Sequence, residues 1–254
     1  VMVEEQSGVA LVTLNRPDAN NALNRSLSEA ITTTFTELAG STTVRAIVLT
    51  GAGRNFCAGV DLKALSEEPE LLSTGMGLGP ASPIVAALEH CPKPIIGAIN
   101  GAAVTGGFEL ALACDYLFAS TEARFADTHA RVGILPGWGL SQKLTRIIGI
   151  NRAREMSLAG NFIDAHRAEA WGLVNRVCTP ENLMDETLAS AAQVADGDAN
   201  AVIALKALMN DGAKQNLGDA LMLEGERGNV FAKTVDYSQM GERLAALRKR
   251  AAKK

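Results

Sequence analysis

The stretch Pro94-Ile95-Ile96-Gly97-Ala98-Ile99-Asn100 runs straight into Gly101-Ala102-Ala103-Val104-Thr105-Gly106-Gly107-Phe108-Glu109-Leu110-Ala111-Leu112. Its first half is a short, almost wholly apolar run, which predicts a strand covered on both faces. A glycine turn and an apolar helix then follow. From Ile95 to Cys114 the segment is long enough to cross a bilayer, but four glycines, Asn100, Thr105 and Glu109 interrupt it. Strand, turn and helix is the better reading, and no membrane association is expected.

The same design occurs upstream, where Arg45–Thr50 leads into Gly51-Ala52-Gly53-Arg54-Asn55-Phe56-Cys57-Ala58-Gly59-Val60-Asp61-Leu62-Lys63. Further strands are predicted at Val9–Leu14, Tyr116–Ala119 and Leu173–Val177. Helices are predicted at Leu23–Ala39, Ile84–His90, Phe108–Cys114, Gly139–Ile148 and Ala165–Trp171. Alternating strands and helices imply an α/β fold with a parallel sheet and right-handed crossovers. From about Thr179 the strand signal stops, and helical patterns cover Glu181–Ala195, Asn200–Met209, Leu217–Phe231 and Gln239–Ala252. The chain is thus expected to divide into a core, 1–197, and a helical region, 198–254. The apolar stripe of that region (Val202, Leu205, Leu208, Met209, Leu221, Met222, Leu223) packs either on another subunit or on the chain's own core. The glycine-rich, acidic stretch Glu67–Pro83, with Gly75, Gly77 and Gly79, reads as a mobile loop.

Composition removes several functional classes. Of 254 residues, 47% are hydrophobic and 20% charged, as in globular proteins and unlike disordered chains. Only 4% are aromatic, too few for a base-stacking platform, and 24 basic against 28 acidic residues give a net charge of −4. No nucleic-acid partner is expected. The main basic cluster, Arg248, Lys249, Arg250, Lys253 and Lys254, reads as a frayed, solvated tail. Cys57, Cys91, Cys114 and Cys178 form no CxxC pair and have no histidine at zinc spacing, so neither structural metal nor a disulfide framework is expected. Val1–Glu5 carries no basic leader, and the expected compartment is cytoplasmic. The motifs GxxxxGK[ST], GxSxG and HExxH and the EF-hand loop are all absent, and Phe56 occupies the place of the third glycine after Gly51 and Gly53.

What survives is the pair of glycine turns. Glycine lets the backbone come close to a ligand, and amides at a helix start attract negative charge. Two such turns facing one pocket would supply two donors for one developing oxyanion; the alternative is two left-handed turns without chemistry. Glu109 begins an otherwise apolar helical face. Its carboxylate there either stabilises the helix dipole or serves as an acid/base group.

The segments Phe56–Lys63, Ala98–Gly101 with Gly106–Ala111 and Cys114-Asp115, and Gly133-Ile134-Leu135-Pro136-Gly137 with Gln142 and Leu144 resemble three signature blocks of the crotonase, or enoyl-CoA hydratase/isomerase, superfamily. Leu14–Pro17, Asn21–Leu23 and Ala170–Val174 also match in order, so the resemblance covers essentially the whole chain. It implies a spiral of ββα units in two near-perpendicular sheets, followed by a helical trimerisation region giving trimers or hexamers. It implies acyl-CoA as substrate, no separate cofactor because coenzyme A arrives with the substrate, and oxyanion donors at the Val60 and Gly106 amides. Ala58, Asp61, Leu62, Lys63 and Gly137 would contact substrate, with Lys63 and Arg54 near the phosphates. The activity implied is a hydro-lyase adding water to 2-enoyl-CoA, through an enolate-like intermediate, in fatty-acid or related acyl-CoA metabolism.

Hydratases of this family use two glutamates. Glu109 matches the first. The second belongs seven residues before Pro136, where this chain has His129. Trp138 also stands where the family often has a small residue, and its ring is expected to reshape the acyl pocket. Three readings of His129 remain open: a substitute acid/base titrating between about pH 5.5 and 7.5, a marker of another crotonase reaction such as double-bond isomerisation, or a structural residue of a non-catalytic acyl-CoA binder. His90 and His166 lie outside the blocks and are expected at the surface or in packing.

Overall fold

A computed structural model describes residues 1–72, 76–79 and 82–251. Among them nine strands form: β1 (Met2–Gln6), β2 (Val9–Leu14), β3 (Ala46–Gly51), β4 (Ile95–Ile99), β5 (Ala102–Val104), β6 (Tyr116–Ser120), β7 (Arg124–Ala126), β8 (Ile163–Asp164) and β9 (Arg176–Cys178). Six build one sheet in the order β1-β2-β3-β4-β6-β9, and the other three build a second, β5-β7-β8. From β2 to β9 the large sheet is parallel, as its covered apolar strands require.

The two faces of the large sheet are filled by alternate residues. Ala46, Val48, Ile96 and Ala98 join one buried cluster with Leu183, Ala191 and Ala195 of the helix Leu183–Ala195. Ile47, Leu49, Ile95 and Ile99 join the main core, together with Leu27, Ile31 and Phe35 of the helix Arg25–Gly40. Each fully buried side chain of this size contributes roughly 1.5–3 kcal/mol relative to exposure. The first of the four C-terminal helices is therefore a cover for the sheet.

Several elements differ from the sequence reading. Every residue of β1 is exposed, and the strand runs antiparallel to β2, turned by Ser7 and Gly8 at φ 51° and 81°. A polar edge strand carries no apolar run, and the Ser-Gly turn was its only signal. Leu173 and Val174 are buried but sit in the turn after the helix Ala165–Ala170, so the last strand is Arg176–Cys178. The helix Ile150–Ala159 follows Leu140–Ile148 after a break at Gly149, whose φ is 83°. At the basic cluster the helix Met240–Ala251 includes Arg248, Lys249 and Arg250, while Lys253 and Lys254 lie outside the described residues.

The described part of Glu67–Pro83 is tied down, whereas Gly75 lies outside the described residues. Leu71, Met76 and Ser82 are buried; the Met76 amide donates to Leu71, and the Ser82 hydroxyl donates to the Met76 carbonyl at 2.7 Å.

The chain divides into two compact units, Val1–Ile203 and Ala204–Lys254. Within the second, Asp211 pairs with Arg227 at 2.7 Å and Lys214 at 3.0 Å, and Asn216 caps the helix Leu217–Ala232. No residue of that helix is buried; Leu221 and Met222 are 58% and 67% exposed.

Candidate active site

Backbone pairing brings the two glycine turns together. The Cys57 amide donates to Ala102 and the Val104 amide to Cys57, both at 3.0 Å, while Leu23 bridges Gly59 and Asp61 from the other side. Gly59 has φ 91°, and a Cβ there would fall 2.8 Å from the Val104 carbonyl oxygen and 3.3 Å from the Gly106 nitrogen. A Cβ on Gly107 would meet the Cys57 carbonyl oxygen at 2.1 Å. These glycines are there for close approach. In the second turn the positive φ belongs to Thr105, at φ 54° and ψ −114°, rather than to a glycine. Such a conformation costs a β-branched residue on the order of 1–3 kcal/mol. The Thr105 amide, bonded to Ala126, and its hydroxyl, bonded to Thr128, hold it in place. Immediately after it, Gly106 begins the helix Gly106–Leu112. Among the described residues neither the Val60 nor the Gly106 amide has a protein acceptor.

Glu109 stands one turn into that helix, 3% exposed. Its Oε1 accepts the backbone amides of Trp138 at 2.8 Å and Leu140 at 3.2 Å. Its Oε2 lies 3.5 Å from Nε2 of His129. On the other side of the ring, Nδ1 of His129 bonds Oδ1 of Asp127 at 2.6 Å. Burial works against charge on His129, but the hydrogen bond to Asp127 and the nearby Glu109 carboxylate prevail and raise its pKa from 6.5 to about 9. Burial likewise opposes ionisation of Asp127, yet hydrogen bonds from His129 and Ser157 hold its carboxyl below the ordinary value. His129 is therefore an imidazolium at neutral pH, and the expected titration between pH 5.5 and 7.5 is displaced upward. Burial pushes the Cys57 thiol up to about 12, so the turn offers no thiolate.

These groups face a cavity of about 650 Å³. Ala58, Val60, Gly106, Glu109, His129 and Gly137 line it. Trp138 closes one side, 5% exposed, with Nε1 donating to the Gly77 carbonyl at 3.0 Å. Its ring would lie 3.3 Å from a Cβ placed on Gly106. Leu62, Leu65, Leu72 and Leu78 give the cavity an apolar wall. Among the described residues no three His, Cys, Asp or Glu side chains converge as metal ligands.

Comparison with known proteins places this arrangement. The family described as "Enoyl-CoA hydratase/isomerase" matches residues 4–252. The chain belongs to the enoyl-CoA hydratase/isomerase family. "Probable enoyl-CoA hydratase 1, peroxisomal" of Arabidopsis thaliana is 41% identical over 251 residues, spanning 99% of this chain and 93% of that protein. "Short-chain-enoyl-CoA hydratase" of Clostridium acetobutylicum is 35% identical over 234 residues, spanning 91% and 89%. The solved structure of an enoyl-CoA hydratase from Bacillus anthracis matches with a TM-score of 0.89 at 31% identity, covering 98% of this chain and 96% of that one. The α/β fold in two sheets is that of these hydratase structures.

This member of the enoyl-CoA hydratase/isomerase family brings Ala58, Val60, Leu62, Gly106, Glu109, His129 and Gly137 to one cavity. Asp61 and Lys63 do not line it. Asp61 instead serves the local fold, where Oδ1 caps the helix Leu62–Glu67 by accepting the Lys63 and Ala64 amides, and Oδ2 pairs with Arg16 at 3.1 Å. Lys63 and Arg54 are exposed, as are His90 and His166. Sequence reasoning missed Asp127, although the spacing Asp127-Thr128-His129 was a signal. Aspartate commonly accepts the amide two residues on, as Asp127 does here at 3.2 Å. Also missed was the use of the Trp138 amide, which no side-chain pattern reports.

Proposed function

We propose that this protein hydrates 2-enoyl-CoA thioesters, with Glu109 as base and His129 as acid. The observation that carries this reading is the 3.5 Å separation of Glu109 Oε2 and His129 Nε2, at a cavity that also presents the unpaired Val60 and Gly106 amides. Those two N–H groups receive the thioester oxygen and draw electron density from the conjugated double bond. Water held by Glu109 adds to the β-carbon and leaves its proton on the carboxylate. The resulting enolate-like oxyanion is held by the same amides until the imidazolium of His129 protonates the α-carbon. Glu109 then returns its proton to the neutral ring, which restores the starting charges. The separation exceeds a charge-assisted hydrogen bond, leaving the carboxylate free to engage water.

No metal or redox cofactor enters this sequence, because the coenzyme A thioester is part of the substrate. Exposed Lys63 and Arg54 are the cations nearest in sequence to the first turn and are the candidates for its phosphates. The exposed apolar residues of Leu217–Ala232 support a homotrimer or a hexamer built from two trimers. Cys57, Cys91, Cys114 and Cys178, none of them in a disulfide, fit a reducing, cytoplasmic location; among the described residues no helix is long and apolar enough to cross a membrane.

The test is loss of enone absorbance with crotonyl-CoA and longer 2-enoyl-CoA esters, alongside calorimetry with a saturated acyl-CoA. Turnover that disappears in Glu109→Gln supports hydration. Tight acyl-CoA binding without turnover at any chain length overturns it in favour of a binder. Movement of the double bond without water addition overturns it in favour of an isomerase.

A further inference from the structure

Asp127 is 2% exposed and lies outside the cavity lining, so it cannot touch substrate. It follows β7 directly, and its Oδ1 takes two bonds from His129, the backbone amide at 3.2 Å and ring Nδ1 at 2.6 Å. Ser157, from the helix Ile150–Ala159, also favours the charged form of this carboxylate. A carboxylate this deeply buried is costly unless compensated, and its cationic partner among the described residues is the His129 ring. With Nδ1 committed to Asp127, only Nε2 is left to face Glu109 and the cavity.

We infer that Asp127 is a positioning residue: by holding His129 Nδ1 it fixes the ring's orientation and protonation, making a carboxylate–imidazolium–carboxylate relay of Asp127, His129 and Glu109. This rests on the proton-transfer roles proposed above for Glu109 and His129. The relay accounts for histidine at the position where the family resemblance implies a second glutamate. The site keeps two carboxylates, but one has moved behind the ring, where it favours the charged form. Among the described residues Asp127 and Glu109 are the charged groups facing the ring, and the helix Ile150–Ala159 sets Ser157 behind Asp127.

A consequence separates this relay from simple packing. Replacing His129 by glutamate does not rebuild a two-glutamate site, because the new carboxylate meets Asp127 and Glu109 in one buried space, where three like charges cannot all ionise. His129→Glu is expected to be less active than the wild type. Adding Asp127→Asn, which removes the third charge, is expected to raise activity above that of His129→Glu alone.

The direct experiment is NMR titration of the His129 ring nitrogens in the full chain, assigned by the signal lost in His129→Ala, together with crotonyl-CoA kinetics. In Asp127→Asn the ring is expected to lose its proton at least ~1 pH unit lower. The kcat should fall ~10-fold or more, with KM changed much less. Ser157→Ala, a milder change, should move the ring titration the opposite way, since an under-bonded Asp127 attracts the proton more strongly. An unchanged ring titration in Asp127→Asn overturns the assignment, even if kcat falls, because the residue is then only structural. A double variant no better than His129→Glu overturns it too. If the wild type turns over no enoyl-CoA, hydration fails as the function, while the ring titration still decides the role of Asp127. Should Asp127→Asn not fold, the Ser157→Ala shift decides it: upward supports the relay, and none refutes it.

Discussion

Oε2 of Glu109 stands 3.5 Å from Nε2 of His129, with the two side chains 3% and 6% exposed. A carboxylate held this close and this dry favours the charged form of the ring, and the site's pH behaviour follows from His129.

Glu109→Gln removes the charge but keeps an oxygen able to accept the Trp138 and Leu140 amides. We expect normal folding by circular dichroism and loss of crotonyl-CoA hydration on the order of 100-fold or more. A variant of full activity would exclude Glu109 as the base.

The sign of the pH dependence is set by two opposite shifts. His129, raised from 6.5 to about 9, contributes stability that is complete below pH 6.5 and is lost as pH rises through about 9. Asp127, lowered from 3.8, contributes stability present above that value and lost as pH falls through its folded pKa. The difference in urea-unfolding free energy between the wild type and His129→Asn should therefore shrink between pH 6.5 and 9.5. The kcat/KM profile should show its alkaline limb near pH 9, with no histidine limb at pH 5.5–7.5.

Gly59→Ala places a methyl group 2.8 Å from the Val104 carbonyl and against the Gly106 amide, at φ 91°. We expect about 1–3 kcal/mol of destabilisation in denaturant titration. The kcat should also fall by on the order of 100-fold as the two amides separate.

Trp138 divides into backbone and ring. Trp138→Phe keeps the amide that holds Glu109 and loses only the bond to Gly77, at a cost of about 1 kcal/mol. Activity should stay within several-fold of wild type. Trp138→Ala should cost about 3–5 kcal/mol and raise relative kcat/KM for bulkier acyl groups, measured across a chain-length series.

For assembly, sedimentation equilibrium at micromolar concentration should return three or six times the chain mass. Leu221→Glu, at a site 58% exposed in the single chain, should lower that mass. A monomeric wild type would contradict the proposed assembly.

Fold class and the paired glycine turns were legible because both are written locally. The covered strands β2, β3 and β4 are apolar runs broken only by Thr13 and Thr50, and the glycines of Gly59–Val60 and Gly106-Gly107 mark backbone that must approach closely. Edge strand β1 and the short β5, β7 and β8 were not, since a polar strand or one of two or three residues has no period to read.

The sequence by itself determined an α/β chain of this family with Glu109 in one half of the site and histidine at the position of the second acid. It left open what His129 does, because a histidine's charge depends on neighbours that are remote in the chain or bonded through a particular rotamer. Tertiary structure supplies those neighbours, setting Glu109, twenty residues upstream, on one ring nitrogen and Asp127 on the other. It also decided that Asp61 is spent on a helix cap and an arginine. In both cases the residue type was visible in the sequence. Its protonation or occupation is set by distances of a few ångströms that only folding brings about.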